Sequence, residues 1–515
     1  MTNDMSSEAI SKGIVSVGTW SATKIVVSGL IVPIYSRLLG VEGYGQYAYY
    51  LALLLLCAHP ANCGMRQALT KYVAERPDET GRVKRLAAYA GRINTIGAVL
   101  VGAALGLLLL SSDPSVSAVV MAAVVVGLLW SGQVQEYAGG ILFGLRQEAK
   151  STGPASIGVI LGGVFGVIFV VVGWGVPGAL GGSLLAGLLA SAVSLWYARQ
   201  AVGSLAPESH ATPIPESEFL HFGLTSMIYA AFAMALYSID LVLVRHLAGD
   251  EPAGRYAAAV QWAEFVWFIP IAVEGVMIQS TAQLWAHNRR EALTDLVSRL
   301  MRYVTLATAY VLLMVFVLAE PIVTFYFGSN FQSAALPLQC LVPGAFVFSL
   351  ARIVRPVIQA GGWVTTLLRI VLVGVGTNVL LNVVCIPRWG AAGAGVATSA
   401  SFMVVAAWYV VVLRRRGVHV VSGPSIWRWC WLSLATSGML VFVKLAVSSP
   451  LPALLLGVVV ATVCYWSGAF WLKLICVDEA VSFADSLPGP VRAVSIRLLN
   501  VVKPALIRIE SMAWH

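Results

Sequence analysis

Charge is what this chain has least of. Asp, Glu, Lys and Arg make up 11% of its 515 residues, where soluble domains carry about a quarter. With 58% of residues apolar, most of the surface cannot face water, and an ordinary soluble fold is excluded. The seven cysteines (Cys57, Cys63, Cys340, Cys385, Cys430, Cys464, Cys476) are scattered in or beside apolar segments, with no C-x-x-C pair and no clustered histidines. They read as small hydrophobes, so no metal, cofactor or disulfide framework is expected. A nucleotide-phosphate loop, H-E-x-x-H and a usable G-x-S-x-G are also missing, so no step driven by ATP bound to this chain is expected. Segments of about ten residues with alternating polarity, the mark of a membrane β-barrel, are not found.

What is present is a long series of apolar runs. A bilayer-crossing helix needs about 20 mainly apolar residues, and peptide groups in hydrocarbon must be hydrogen-bonded within their own segment. Fourteen spans are expected, at 15–37, 45–65, 93–111, 116–138, 155–174, 177–198, 219–245, 255–283, 303–325, 336–358, 364–386, 391–413, 427–447 and 452–472. The first eleven residues carry Asp4 and Glu8 without a basic cluster, so the first helix reads as a retained anchor. With both termini cytoplasmic, 27 of the 33 Lys and Arg lie on the inner side, among them Lys71, Arg82, Lys84 and Arg85, then Arg289 and Arg290, then Arg414 to Arg416. Only Arg37, Arg245, Arg255, Arg388 and Lys444 fall outside and Lys24 within a helix, as the positive-inside rule requires. The net charge of +9 then needs no nucleic-acid partner.

The chain resembles itself. Arg37-Leu38-Leu39 followed by Gly45-Gln46-Tyr47-Ala48 is answered by Arg245-His246-Leu247 followed by Gly254-Arg255-Tyr256-Ala257. Trp174-Gly175 with Gly178-Ala179 is answered by Trp389-Gly390 with Gly393-Ala394, and Trp196-Tyr197 by Trp408-Tyr409, at offsets of 209, 215 and 212 residues. Six spans is an even number, so matching segments cross in the same direction and the repeats should be related by an axis along the membrane normal. The expected organisation is a six-helix bundle in 1–200, a linker in 201–218 marked by Pro207, Pro213 and Pro215, a second bundle in 219–418, and two added helices in 419–475. A tail in 476–515 would be cytoplasmic, either lying on the inner surface or unstructured.

These motifs also resemble a known family. From Asn378 to Thr398 the sequence follows N-x-x-L-N-x-x-x-I-P-x-x-G-x-x-G-A-x-x-A-T, with Asn378, Asn382, Ile386-Pro387, Gly390, Gly393-Ala394 and Ala397-Thr398 in place. This is similar to the signature of the polysaccharide, or O-antigen, flippases of the multidrug/oligosaccharidyl-lipid/polysaccharide exporter (MOP) superfamily. Four further stretches agree in order: Tyr35-Ser36-Arg37-Leu38-Leu39-Gly40 with Gly43-Tyr44-Gly45, Ser238-Ile239-Asp240, Gly254-Arg255-Tyr256, and Tyr326-Phe327-Gly328 through Ala334 and Ala335. The resemblance runs from about residue 10 to residue 415. It implies an all-α integral membrane fold, two six-helix bundles forming a V around a central cavity. It also implies a polyprenyl-pyrophosphate-linked oligosaccharide as substrate, moved from the inner to the outer leaflet of a bacterial cytoplasmic membrane. The implied setting is O-antigen, capsule or exopolysaccharide synthesis, alongside a polymerase and glycosyltransferases of the same pathway and membrane lipids. The matching positions are mostly Gly, Pro and small residues, so no substrate-binding residue is carried over.

Candidate site residues come instead from charge at membrane depth, where an ionisable side chain costs at least about 2.5 kcal/mol and needs a cavity or a partner. Lys24, Arg66, Arg352, Arg355 and Arg369 are the candidates for gripping a pyrophosphate, with Arg352 and Arg355 three apart on one helical face. Asp240, Glu264 and Glu274 could bind a coupling cation or proton, or could neutralise Lys24 and Arg245. Trp262, Phe265, Trp267 and Phe268 could stack on sugars or simply pack. The alternatives are a cation-coupled small-molecule or multidrug exporter of the same superfamily, and, from another class, a membrane enzyme or a structural partner of polysaccharide assembly. An enzyme would want a large outer loop, and the outer loops here are short. A topology test follows: on a background without reactive native cysteines, Ser112→Cys should label with an impermeant thiol reagent from outside intact cells and Asp78→Cys should not. The reverse pattern would overturn the orientation.

Overall fold

The computed structural model describes residues 7–112, 115–204, 216–418, 426–447 and 449–475, and these are helical almost throughout. In order the helices are α1 (Ser7–Asn62), α2 (Met65–Glu75), α3 (Thr80–Ser112), α4 (Val116–Gly144), α5 (Glu148–Phe169), α6 (Gly175–Gly203), α7 (Glu216–Ala248) and α8 (Asp250–Phe265). There follow α9 (Phe268–Ala286), α10 (Arg290–Val317), α11 (Ala319–Phe327), α12 (Ala335–Ala360), α13 (Val364–Arg415), α14 (Ile426–Ala446) and α15 (Pro450–Trp471). No strand occurs among the described residues. Within them, nine helices are long and apolar enough to cross a membrane, or eleven if each of two bent pairs is one span. Twelve of the fourteen expected segments lie, to within three residues, along one helix or one leg of a broken one. Segments 255–283 and 303–325 were expected as single helices. Instead α8 and α9 meet at a 49° bend, and α10 ends at Leu318 before the short α11. Of the expected linker, residues 216–218 are helical and 205–215 lie outside the described residues, as does the tail from 476.

The long helices are divided by glycines. In α1 the break is Gly40, in α13 it is Gly390, and α5 passes into α6 through Gly173 and Gly175, with a π-helical turn at Val170–Trp174 between them. Gly175 and Gly390 adopt nearly the same backbone, φ 53° with ψ −137° and φ 56° with ψ −134°. A side chain would be strained at such a positive φ, so glycine is the residue that lets the chain reverse there. Gly249, with φ 99°, separates α7 from α8 and lies 209 residues after Gly40, the same offset as the Gly45 and Gly254 motifs.

The described residues fall into two compact units, those within Met1–Ala257 and Asn378–Ala394 forming one and those within Ala258–Thr377 and Gly395–His515 the other. In the first, α5 and α6 form a tight hairpin on which α4 and α1 pack, and α7 lies along α1. Its core includes Met65, Leu69, Leu86, Leu142 and Phe219 at one end and Tyr49, Leu105, Val125 and Leu180 toward the other. In the second unit α12 packs between α9 and α10, while α14 and α15 pack on α10 and α11. There Tyr465, fully buried, donates to the Leu306 carbonyl at 2.9 Å, and Lys444 pairs with Glu320 at 2.9 Å. The two added helices are therefore fastened to the second unit by polar as well as apolar contacts.

One close helix approach in the first unit joins the two copies of the repeated motif. A Cβ built on Gly45 would lie 2.1 Å from the Asp250 carbonyl oxygen and 2.6 Å from the Gly254 nitrogen, and a Cβ on Gly254 would lie 2.0 Å from the Val41 oxygen. The contact is reciprocal, each glycine meeting its counterpart and the residue four before it, as a two-fold related pair would. Helix association in lipid rests on such packing, because no hydrophobic gain separates lipid from protein. Gly45→Ala or Gly254→Ala should therefore lower stability by about 1–3 kcal/mol, read as a lower thermal transition of the purified protein. Gly132→Ala, where nothing lies within 4 Å of the new methyl, should leave it unchanged. The Gly45→Ala/Gly254→Ala double change should cost less than the sum, since both act on one contact.

Candidate functional site

Each unit holds one charge cluster that ties a broken helix to the span two places further on. In the first unit the break lies at Pro60–Gly64, where α1 ends, Cys63 and Gly64 take positive φ, and α2 leaves at 47°. The polar groups at this bend are satisfied by side chains, as hydrocarbon demands. Asn62 accepts the Arg66 backbone N–H at 2.9 Å and donates to Asn94 at 3.0 Å. Asn94 donates to the Gln133 carbonyl, and Gln133 donates to the Ala58 carbonyl at 3.1 Å. On this platform Arg66 of α2 reaches Glu136 of α4 in an ion pair, both side chains about one-third exposed, with the guanidinium over the Phe143 ring.

In the second unit the bend lies between α8 and α9. Trp267, buried at the bend, donates its indole N–H to the Ala345 carbonyl of α12 at 3.2 Å and packs with Phe348 and Phe402. Two turns beyond, Glu274 of α9 is almost fully buried and accepts from both arginines of α12, from Arg352 Nε at 3.1 Å and from Arg355 Nε at 2.6 Å. The exposures are 6% for Glu274, 16% for Arg352 and 27% for Arg355, so two guanidinium groups share this one carboxylate in a largely dehydrated setting. The Arg352 guanidinium also lies 5.8 Å from the Trp267 ring centre. The two clusters sit at equivalent places in the repeat with opposite polarity. In the first, the residue after the bend is the cation; in the second, it is the anion.

The other expected site residues are placed as follows. Arg352, Arg355 and Glu274 come together; Arg66 finds a carboxylate that the sequence reading had not singled out. Arg369 is exposed on the first turns of α13, and Glu264 is exposed on α8 just before the bend. Lys24 lies on α1, and its side chain is outside the described residues. Asp240 is buried on α7 and accepts from the fully buried Tyr256 hydroxyl and from the Leu241 N–H at 2.8 Å. Asp240, Glu264 and Glu274 are the carboxylates expected to neutralise Lys24 or Arg245. Instead Arg245 pairs with Asp250 and lies over the Tyr49 ring at 4.0 Å, and Gln46 donates to the same carboxylate at 3.0 Å. The reason is reach: Asp250 stands five residues on, across the Gly249 turn that folds α8 back. Of the aromatic cluster, Trp262 packs on Phe265 and Tyr326 at 5.2 and 5.3 Å; the Phe268 side chain is outside the described residues.

Comparison with known proteins was made on sequence and on fold. Residues 10–269 match the family model described as polysaccharide biosynthesis protein. An uncharacterized membrane protein of Methanocaldococcus jannaschii is 20% identical over 264 residues, 50% of this chain, and the match spans only 51% of that relative. A Haloferax volcanii protein named "Probable low-salt glycan biosynthesis flippase Agl15" is 23% identical over 383 residues, covering 72% of this chain and 77% of its own length. Among solved structures, the lipid II flippase MurJ in an inward closed conformation superposes with a TM-score of 0.66 at 13% identity, over 89% of this chain and 99% of that one. An inward-facing multidrug resistance MATE family transporter of the MOP superfamily gives 0.60 at 15% identity, over 76% and 94%. At these identities the likeness to the solved structures is one of fold alone.

The ion clusters make a stability prediction. Glu274→Ala leaves two guanidinium groups facing each other, at a cost of about 2–4 kcal/mol after allowance for the exposure of Arg355. Adding Arg352→Ala and Arg355→Ala should recover much of that loss, because no charge is then left unpaired. In the first unit Arg66→Glu should destabilise and Glu136→Arg on the same chain should restore. Thermal transitions of the purified variants in one detergent provide the measurement.

Proposed function

The chain belongs to the polysaccharide biosynthesis protein family, and on that premise we propose that it is a flippase. It carries a polyprenyl-pyrophosphate-linked oligosaccharide from the inner to the outer leaflet of the bacterial cytoplasmic membrane by alternating access, for O-antigen, capsule or exopolysaccharide synthesis. The observation that carries the reading is the Glu274 cluster. A pyrophosphate esterified at both ends is a diffuse dianion, and paired guanidinium groups offer it planar, two-point hydrogen bonding that an ammonium cannot. Arg352 and Arg355, which share one carboxylate, meet that need.

In the resting protein Glu274 holds the two guanidinium groups in place. An arriving pyrophosphate competes with Glu274 for the same N–H donors, so binding exchanges one anion for another and avoids the full desolvation cost of a new charge. Arg66, Arg369 and Lys24 serve the same anion elsewhere on its route, with Glu136 as the resident counter-ion of Arg66. Among the three candidate coupling carboxylates, Glu274 is the one that holds two guanidinium groups, which makes it the first candidate for coupling to a cation or proton. Asp240, bound to Tyr256, and Glu264 follow it. The two repeats take the division 1–200 and 219–418, and a polymerase and glycosyltransferases of one pathway supply and consume the substrate.

Complementation tests this reading. In a bacterium deleted for its own O-antigen flippase and making a matching glycan, expression should restore surface polymer while lipid-linked oligosaccharide retained on the inner leaflet falls. Arg352→Ala with Arg355→Ala, and separately Lys24→Ala, should abolish rescue at normal protein levels. Unchanged lipid-linked intermediates when the protein is deleted from its native host would instead move the assignment to a small-molecule exporter of the same fold.

A further inference from the structure

An exposed, apolar side of the α5–α6 hairpin holds a groove that none of the functional reasoning above uses. It runs between α5 and α6, with a volume of about 360 Å³. Its origin is the small-residue content of the two helices. They touch closely near their hairpin, where a Cβ on Gly182 would lie 2.2 Å from the Gly166 nitrogen. Toward the other end Gly153, Gly158, Ala186 and Ala190 form a floor without side-chain bulk, and Ile157, Leu161, Leu189 and Val193 form the walls. Ile157, Leu189 and Val193 are themselves exposed. Apart from its polar end the groove is lined by small and aliphatic residues alone, a lining that suits an acyl chain.

One end of the groove is polar. Lys150 and Tyr197 close it, with the Lys150 ammonium 5.8 Å from the Tyr197 ring centre. Arg146, just before α5, and Arg199, two residues past Tyr197, are exposed at the same helix ends, and Glu148 is the acidic residue among them. Three cations against one anion stand where the sequence places the inner membrane surface. Basic residues at the cytoplasmic ends of transmembrane helices attract acidic lipid headgroups, at about 1 kcal/mol for each Lys or Arg.

We propose that the α5–α6 groove is a binding site for an acidic phospholipid of the inner leaflet, one acyl chain lying over the glycine floor and the phosphate held at Lys150. The choice of phospholipid over the polyprenyl carrier rests on the polar end. It offers cations for a single phosphate, and among the lining residues no carboxamide or carboxylate for a sugar. An ordered chain here fills the space between two helices that lack side chains to fill it, and so braces the hairpin against the rest of its unit.

The test uses the full-length purified protein in detergent micelles, titrated with palmitoyl-oleoyl phosphatidylglycerol or with the phosphatidylcholine of the same chains, and read by native mass spectrometry. Phosphatidylglycerol should be retained about fivefold more tightly, the factor that corresponds to about 1 kcal/mol. Lys150→Gln should bring the two lipids to parity, and Ile157→Trp, which fills the groove, should weaken both. Helix content by circular dichroism should be unchanged in both variants. Equal retention of the two lipids by the parent protein, a preference that survives Lys150→Gln, or displacement of phosphatidylglycerol by an equimolar polyprenyl phosphate would each overturn the proposal. The last result would give the groove to the carrier lipid instead.

Discussion

Hydrocarbon offers no hydrogen bond to a peptide group and almost no solvation to a charge, and nearly every feature of this protein answers to that. Helices satisfy the backbone from within. Where a helix must break, another donor or acceptor has to be brought to the break. At Pro60–Gly64 this is the chain of Asn62, Asn94 and Gln133; at the bend between α8 and α9 it is the Trp267 indole. Charges obey the same rule, and the buried ionisable groups with described partners are held in pairs or trios rather than singly.

Because lipid tails are as apolar as leucine, the second requirement is close contact. The reciprocal packing of Gly45 and Gly254, and of Gly166 with Gly182, brings backbones to distances at which a methyl group would not fit. These contacts account for the glycine-rich motifs that recur along the chain better than any chemistry does. They also explain why the family signature is written in Gly, Pro and small residues, and why it identified a scaffold without pointing to the substrate.

The two charge clusters show how a repeated scaffold can hold different chemistry. Equivalent helices are bridged in each unit, yet the cation follows the bend in one and the anion in the other, and in the second two guanidinium groups share the carboxylate. Backbone geometry was preserved at Gly175 and Gly390 to within a few degrees, whereas side-chain polarity was not. Strain at a positive φ leaves one residue type available; an ion pair can be built with its charges either way round.

Membrane class, helical content and the approximate positions of the apolar spans were legible in the sequence, because each depends on composition or spacing within a short window. Arg352 and Arg355 were recognisable as a pair for the same reason, three residues apart on one helix. Glu274 as their shared partner was not, since it lies 78 and 81 residues away and the match depends on how α9 and α12 are rotated. Nor was Glu136, which lies 70 residues from Arg66. Arg245 with Asp250 needed the Gly249 turn. What the sequence alone determined is therefore the solvent this chain lives in and the local geometry of its helices and breaks. Only the tertiary structure decided which charges meet, because in a medium that cannot solvate them the outcome is set by the facing surfaces of helices far apart in the chain.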